Sequence, residues 1–155
     1  MCEMSDRLTD AYRAAVYRVE LPGENVELRV DVHSASLQRW LGRHEHHCAA
    51  LLTAHNPESQ PRDAALNDAA QRNLQAAIRM RGLTFQIGRN LDPQGHWPPE
   101  DSVLVPDLPL EEARALALQF HQRAFLWCDA SGTPQLHHSA MRNSSSSSPS
   151  MPTRT

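Results

Sequence analysis

Two short polar runs carry the residue types that could bind or transform a small molecule. The first, residues 53–60, follows an apolar run from Cys48 to Leu52 and precedes a helical pattern that opens at Asp63. Uninterrupted apolar residues of this length predict a central strand covered on both faces. The polar run would then lie where open α/β sheets place ligands, with backbone N–H groups and a helix dipole that favour polar or anionic groups. The sequence therefore predicts a binding location without naming its occupant.

Asn56 and Ser59 are the side chains of this run best suited to binding. A residue before proline is held extended, so Asn56 would present a pre-aimed amide for paired hydrogen bonds. The alternative is an Asx-type turn in which both side chains only cap the loop backbone. Asn67 is predicted to face inward with Ala70 and Leu74, and therefore to need partners.

The second polar run, residues 96–102, holds an aromatic, a carboxylate and a hydroxyl on a proline-stiffened loop. This pattern predicts a pocket wall made of Trp97, Glu100 and Ser102, in which the stacking surface of the indole lies beside the carboxylate. The alternative is that Trp97 plugs the core edge while Glu100 stays solvated. Gln122 is predicted as a half-buried amide, and Glu100 is the sole candidate general acid or base.

Several other chemistries lack the residues they require. All 15 basic residues are arginine and the six glycines match no phosphate-binding loop, which excludes lysine and P-loop chemistry. The three cysteines predict reduced thiols rather than a disulfide framework, and Cys48 and Cys128 fall in apolar strands where thiols are inert packing. In the cluster from His44 to Cys48, a cysteine stands where HExxH has its second histidine, so we predict a solvated loop. We expect no metal and no cofactor.

Composition predicts a soluble cytoplasmic protein. With 155 residues, a net charge of −3 and 40% hydrophobic residues, the chain fits one domain and has no positive field for nucleic acid or membranes. The amino terminus lacks the apolar core of a signal peptide, and no apolar stretch approaches the roughly 20 residues of a membrane span. We expect a globular domain over residues 1–140 and a disordered Ser/Pro/Thr-rich tail over 141–155.

Hydrophobic periodicity predicts a single α/β domain, with α+β as the alternative, in which about four helices flank a mixed sheet of roughly five to seven strands. The predicted elements are a helix capped by Ser5, a hairpin over residues 17–30, a helix from Ser34 or Ser36 with Leu37, Trp40, Leu41 and His44 on one face, a central strand over 48–54, a helix from Asp63 to Gly82 with Leu66, Ala69, Ala70, Leu74, Ala77 and Ile78 inward, a strand over 83–87, a loop over 88–99, a strand over 103–105, a helix from Pro109, and strands over 124–128 and 135–136.

Taken together, these residues resemble the bacterial domain of unknown function numbered 3293. The resemblance covers the chain from about Leu8 to Leu136. This chain departs from the family pattern at two positions: His55 stands where the family often has an aromatic residue, and His121 stands where it often has a glycine. It implies no activity. The residues that carry it are Ala11-Tyr12, Thr53-Ala-His-Asn-Pro-Glu-Ser59, Asn67, Trp97-Pro-Pro-Glu-Asp-Ser102 and Phe120-His-Gln122. It does imply one constellation made of Asn56, Ser59, Asn67, Trp97, Glu100, Ser102 and Gln122.

Such a set suits recognition of a small polar molecule. We therefore expect an uncharacterised protein that binds such a ligand, or an enzyme that acts on one, with Glu100 as acid or base. Asn56 and Gln122 would orient the ligand while Trp97 stacks on it. The alternative is a protein-interaction domain without a ligand site, in which the polar residues only brace loops. The sequence predicts no particular protein partner.

Overall fold

A computed structural model describes residues 6–56 and 63–139 of the chain. These residues form four helices and seven strands, within the predicted numbers. The elements in chain order are α1 (Asp6–Ala14), β1 (Val16–Leu21), β2 (Glu24–Leu28), α2 (Ala35–Arg43), β3 (Cys48–Leu52), α3 (Ala64–Met80), β4 (Gln86–Leu91), β5 (Glu100–Pro106), α4 (Leu110–Gln119), β6 (Ala124–Asp129) and β7 (Gln135–His138). The predicted cap Ser5 and the predicted tail lie outside the described residues.

The seven strands form one sheet in the order β2-β1-β4-β5-β3-β6-β7. All six strand pairs are antiparallel, so the expected mixed sheet is wrong and the α+β alternative describes the fold. The cause lies in the connections: α3 carries the chain from β3 past β5 to β4, and α4 carries it from β5 past β3 to β6. Strands that run in the same direction are therefore always separated by one that runs in the opposite direction.

The predicted central strand is confirmed. All five residues of β3 are buried, and the strand lies between β5 and β6. On one face of the sheet, Leu51 and Leu104 pack with Trp40 of α2. On the other face, Leu52 packs in a cluster that includes Ile78 of α3 and residues of α4. The core therefore has two layers, and β3 contributes alternate residues to each.

Capping residues predicted three helix ends correctly. The hydroxyl of Ser34 accepts a hydrogen bond from Leu37 N at 3.1 Å and caps α2, whereas the predicted inward residue His44 is exposed. Gly82 follows α3 with a φ of 78°, and Pro109 is the N-cap residue of α4. In the described part of the chain, no helix combines the length and apolarity needed to cross a membrane.

The inner face of α3 differs from the prediction. Leu66 is 54% exposed, although periodicity placed it inward. The buried residues of this helix are Asn67, Gln71, Leu74 and Ile78. The helix is rotated because Asn67 and Gln71 are hydrogen-bonded to the loop that follows β3. The prediction that Asn67 faces inward is confirmed.

β4 and β5 also differ from their predicted spans. Residues 88–91 belong to β4 and not to a loop, and Glu100 and Ser102 lie on β5 itself. Gly88 interrupted the apolar pattern for a packing reason: a Cβ there would come within 2.8 Å of Arg18 O and 2.9 Å of Ser102 Oγ. A side chain is excluded because Arg18 O of β1 and the Ser102 side chain of β5 both lie close to this position of β4.

Candidate functional site

One end of the sheet gathers polar side chains from several strands. In an antiparallel sheet, the carboxyl ends of β3 and β4 meet the amino ends of β1 and β5. Tyr17 is paired with Asn90 across β1 and β4, and Asn90 is paired with Glu100 across β4 and β5. Paired residues of neighbouring strands project from the same face about 5 Å apart, so these three side chains form a row.

A cavity of about 190 Å³ lies above this row. A smaller space of about 30 Å³ continues toward Leu51 and Phe125 of the sheet. The residues that line the larger cavity are Ala11, Tyr12, Ala15, Tyr17, His55, Asn56, Asn90, Trp97, Glu100 and Gln122. The combined space exceeds that of a single water and suits a small metabolite.

The structure brings together four of the seven side chains predicted for the site. Asn56, Trp97, Glu100 and Gln122 all line the cavity. Asn67 does not line it but is bonded to Asn56. Ser102 is buried on β5 without lining the cavity, and its hydroxyl has no hydrogen-bond partner in the described part of the chain. Ser59 lies outside the described residues.

The backbone of Asn56 differs from the prediction. Its φ is 49°, in the left-handed region, and not extended as the following proline suggested. Asparagine tolerates this conformation better than most residues. Asn67 holds it from both sides: Asn56 N donates to Asn67 Oδ1 at 2.8 Å, and Asn67 Nδ2 donates to Asn56 Oδ1 at 2.9 Å. Asn56 Nδ2 is thereby aimed at Glu100 Oε2, 2.7 Å away.

The rest of this loop is held in the same way. Ala54 N donates to Gln71 Oε1 at 2.9 Å, and His55 N donates to Thr53 Oγ1 at 3.1 Å. Gln122 Nε2 donates to His55 O at 3.0 Å. The N–H groups of residues 54–56 are therefore all engaged by side chains, and they are not left for an anion as the expected strand-to-helix site would require.

Glu100 is a carboxyl group in a mostly apolar setting. Burial raises its pKa, and the hydrogen bond from Asn56 opposes this effect only in part. The neighbouring hydroxyl of Tyr17 donates to Tyr12 O at 2.7 Å. Burial, Tyr12 and Glu100 together raise the pKa of Tyr17, so this phenol stays neutral over the physiological range.

Asn90 is the site residue that the sequence did not reveal. Its side chain is 9% exposed and lines the cavity, and its Oδ1 is buried with no hydrogen-bond partner in the described ranges. The apparent break at Gly88 placed it in a predicted loop. The sequence offered no signal for it, because the exposed position Ile87 is apolar and the buried position Asn90 is polar, the reverse of the usual alternation.

His55, Asp68 and Asp101 form a group whose ligand atoms all lie within 4.8 Å of one another. Imidazole and carboxylates are suitable ligands for a divalent metal ion. However, Arg89 Nε lies 3.3 Å from Asp101 Oδ1. The guanidinium already balances that carboxylate, so we assign no metal to this group.

The other cluster, His44 to Cys48, is hydrogen-bonded to the segment that follows β5. His46 Nδ1 lies 2.7 Å from Asp107 Oδ2, and His47 N donates to Asp107 Oδ1 at 2.8 Å. Cys48 Sγ donates to Leu108 O at 3.3 Å. Burial raises the pKa of Cys48 and brings the pKa of Cys128 to about 12. Both thiols are free and buried, as predicted for packed cysteines.

Comparison with known proteins places the central part of the chain. A family model described as "Protein of unknown function (DUF3293)" matches residues 52–125. The match is narrower than the span of the predicted resemblance, and it includes the cavity residues from His55 to Gln122 while leaving out α1 and β1. Neither the curated proteins nor the solved structures include a match. The resemblance to the DUF3293 family that the sequence predicted is therefore confirmed over residues 52–125.

Proposed function

We propose that the cavity at the carboxyl end of β3 binds a small polar ligand. The observation that carries this proposal is Glu100, a partly buried carboxyl group that lines the cavity and whose Oε1 accepts no hydrogen bond from the described residues. An unpaired buried acceptor costs roughly 1–3 kcal/mol, so such groups are normally paired with protein, water or ligand. A ligand donor in the cavity would pair it.

The surrounding residues have distinct roles in this proposal. Trp97 offers an aromatic surface on which a ligand can pack. Asn56 and Gln122 use their NH₂ groups on Glu100 and on backbone carbonyls, so they mainly hold the walls in place. Glu100 is then the residue that faces the ligand with unused hydrogen-bonding capacity.

Binding is better supported than catalysis. Glu100 is the only carboxyl group among the described residues that line the cavity. A reaction there would use Glu100 to transfer a proton, since its raised pKa brings it closer to neutral pH than an ordinary glutamate. No activated nucleophile accompanies it in this lining.

A thermal-shift screen of the full chain against a metabolite library tests the proposal. A true ligand raises the melting temperature of the parent and of Asn73→Ala, a control on the exposed side of α3. It fails to raise that of Asn90→Ala or Glu100→Ala, while circular dichroism shows that both variants are folded. The proposal is wrong if no compound stabilises the parent, or if the cavity variants respond like the control.

The alternative, a protein-interaction domain whose polar residues brace loops, is favoured by one observation. Asn67 and Gln71 use their side chains to fix the backbone of residues 54–56. Under this alternative, Asn56→Ala lowers the free energy of unfolding by about 1–3 kcal/mol. No library compound then stabilises the parent, and a protein partner co-purifies with it.

A further inference from the structure

We infer that the ligand carries a primary ammonium group, which donates to Glu100 Oε1 while its apolar body packs against Trp97 and Tyr12. This inference rests on the proposed function, because it names the chemical class of the ligand for the same cavity. Four features of the lining carry it.

The first feature is an open acceptor. Glu100 accepts from Asn56 through Oε2, and its Oε1 accepts no hydrogen bond within the described part of the chain. A compact group with several N–H donors suits an open carboxylate oxygen of this kind, and an ammonium has three.

The second feature is that three nearby donors are already committed. Asn56 Nδ2 donates to Glu100, and Gln122 Nε2 donates to His55 O and Phe120 O. The hydroxyl of Tyr17 donates to Tyr12 O. A carboxylate, which offers only acceptors, would find none of these three donors free.

The third feature is charge. The described residues that line the cavity include one carboxyl group and no arginine, and the chain contains no lysine. The nearby cation Arg89 is paired with Asp101 rather than with Glu100. The carboxylate of Glu100 is therefore poorly compensated where it lies, and an anionic ligand would add repulsion. A cation in the cavity supplies the missing partner.

The fourth feature is the aromatic wall. Tyr12, Tyr17 and Trp97 line the same cavity as Glu100. Aromatic faces attract cations through the ring quadrupole, and they also accept the apolar body of an amine. A carboxylate beside several aromatic rings is the arrangement that recognises organic ammonium ions in water.

Benzylamine, benzyl alcohol and benzoate test the inference, since they share a ring and differ in the polar group. Isothermal titration of the full chain at low ionic strength is expected to show the tightest binding for benzylamine. Benzyl alcohol should bind at least about tenfold more weakly, and benzoate more weakly still. Glu100→Gln should weaken benzylamine binding by about tenfold or more while changing benzyl alcohol binding little, whereas Trp97→Ala should weaken both.

Glu24→Gln is the matched control, because Glu24 lies in the exposed β1–β2 turn region and its loss changes the net charge equally. It should leave benzylamine binding unchanged. The inference is overturned if benzyl alcohol or benzoate binds as tightly as benzylamine, if none of the three binds, or if Glu100→Gln binds benzylamine like the parent. The metabolite screen decides the proposed function separately, since a neutral or anionic hit that needs Asn90 would sustain the cavity and reject the amine.

Discussion

The two ends of β3 both carry polar clusters, yet they differ in what those clusters leave open. At the amino end, the imidazole of His46 and the backbone of His47 both engage Asp107. At the carboxyl end, Asn56 and Glu100 are bonded to each other, but an open cavity remains and the oxygen of Asn90 has no donor among the described residues. Polar clustering alone therefore does not indicate a ligand-binding site. Unused hydrogen-bonding capacity beside empty space is the better indicator.

The largest expected effect concerns the bracing of the carboxyl end. Asn67→Ala removes both bonds to Asn56 and leaves the half-buried Asn56 N–H group without its acceptor. We expect the free energy of unfolding to fall by about 2–3 kcal/mol in urea denaturation. The control Asn73→Ala, at an exposed position of the same helix, should change it by no more than about 0.5 kcal/mol. Equal losses of stability in the two variants would show that the hydrogen bonds between Asn56 and Asn67 do not stabilise the folded protein.

A smaller, pH-dependent effect is expected from Glu100→Gln. Because burial raises the pKa of Glu100 in the folded protein, the folded state holds this proton more tightly than the unfolded chain does. The ionised form is therefore destabilising, and the stability of the parent falls relative to that of Glu100→Gln as the pH rises through the pKa of Glu100. Tyr12, Tyr17 and His55 line the same cavity, but the parent and Glu100→Gln share them. The difference in stability between the two proteins therefore reports on Glu100.

Urea denaturation at pH 4 and pH 7.5 checks this prediction. The two proteins should be closest in stability at pH 4, where Glu100 is mostly protonated, and Glu100→Gln should gain on the parent at pH 7.5. A difference that stays constant with pH, or that has the opposite sign, would show that Glu100 is well solvated and not part of a dry cavity.

The smallest effect is expected at the amino end. Asp107→Asn keeps an acceptor for His47 N and a residue that tolerates the φ of 64° observed there, while removing the charge beside His46. The Asp107 side chain is 38% exposed, so we expect a loss of at most about 1 kcal/mol. A thermal or urea denaturation curve suffices as the measurement. A loss as large as that of Asn67→Ala would mean that both ends of β3 are equally braced.

The sequence indicated much of this fold because its local signals are strong. The apolar run before Thr53 identified the buried strand, and Ser34, Gly82 and Pro109 marked helix ends through capping and backbone preferences. The sheet direction was not indicated, since β3 is buried on both faces whether its neighbours run parallel or antiparallel to it. Burial of a strand does not report the direction of its partners.

The site was visible only in part, for two physical reasons. Leu66 lies outward and Asn67 inward because hydrogen bonds to a loop outweigh the gain from burying one leucine, and a hydrophobic pattern contains no such term. Asn90 was hidden because Gly88 looked like a loop residue, although its missing Cβ reflects the close approach of Arg18 O. Long-range contacts of this kind cannot be read from neighbouring residues.

We propose that the cavity at the carboxyl end of β3 binds its ligand beside the partly buried carboxyl group of Glu100. The most direct measurement is a ¹³C NMR titration of the Glu100 carboxyl carbon in the full chain, with and without benzylamine. We expect the pKa of Glu100 to lie above the ordinary glutamate range in the free protein and to fall when benzylamine is added, because a bound cation favours the ionised form. An ordinary pKa that benzylamine does not move would contradict the proposed cavity.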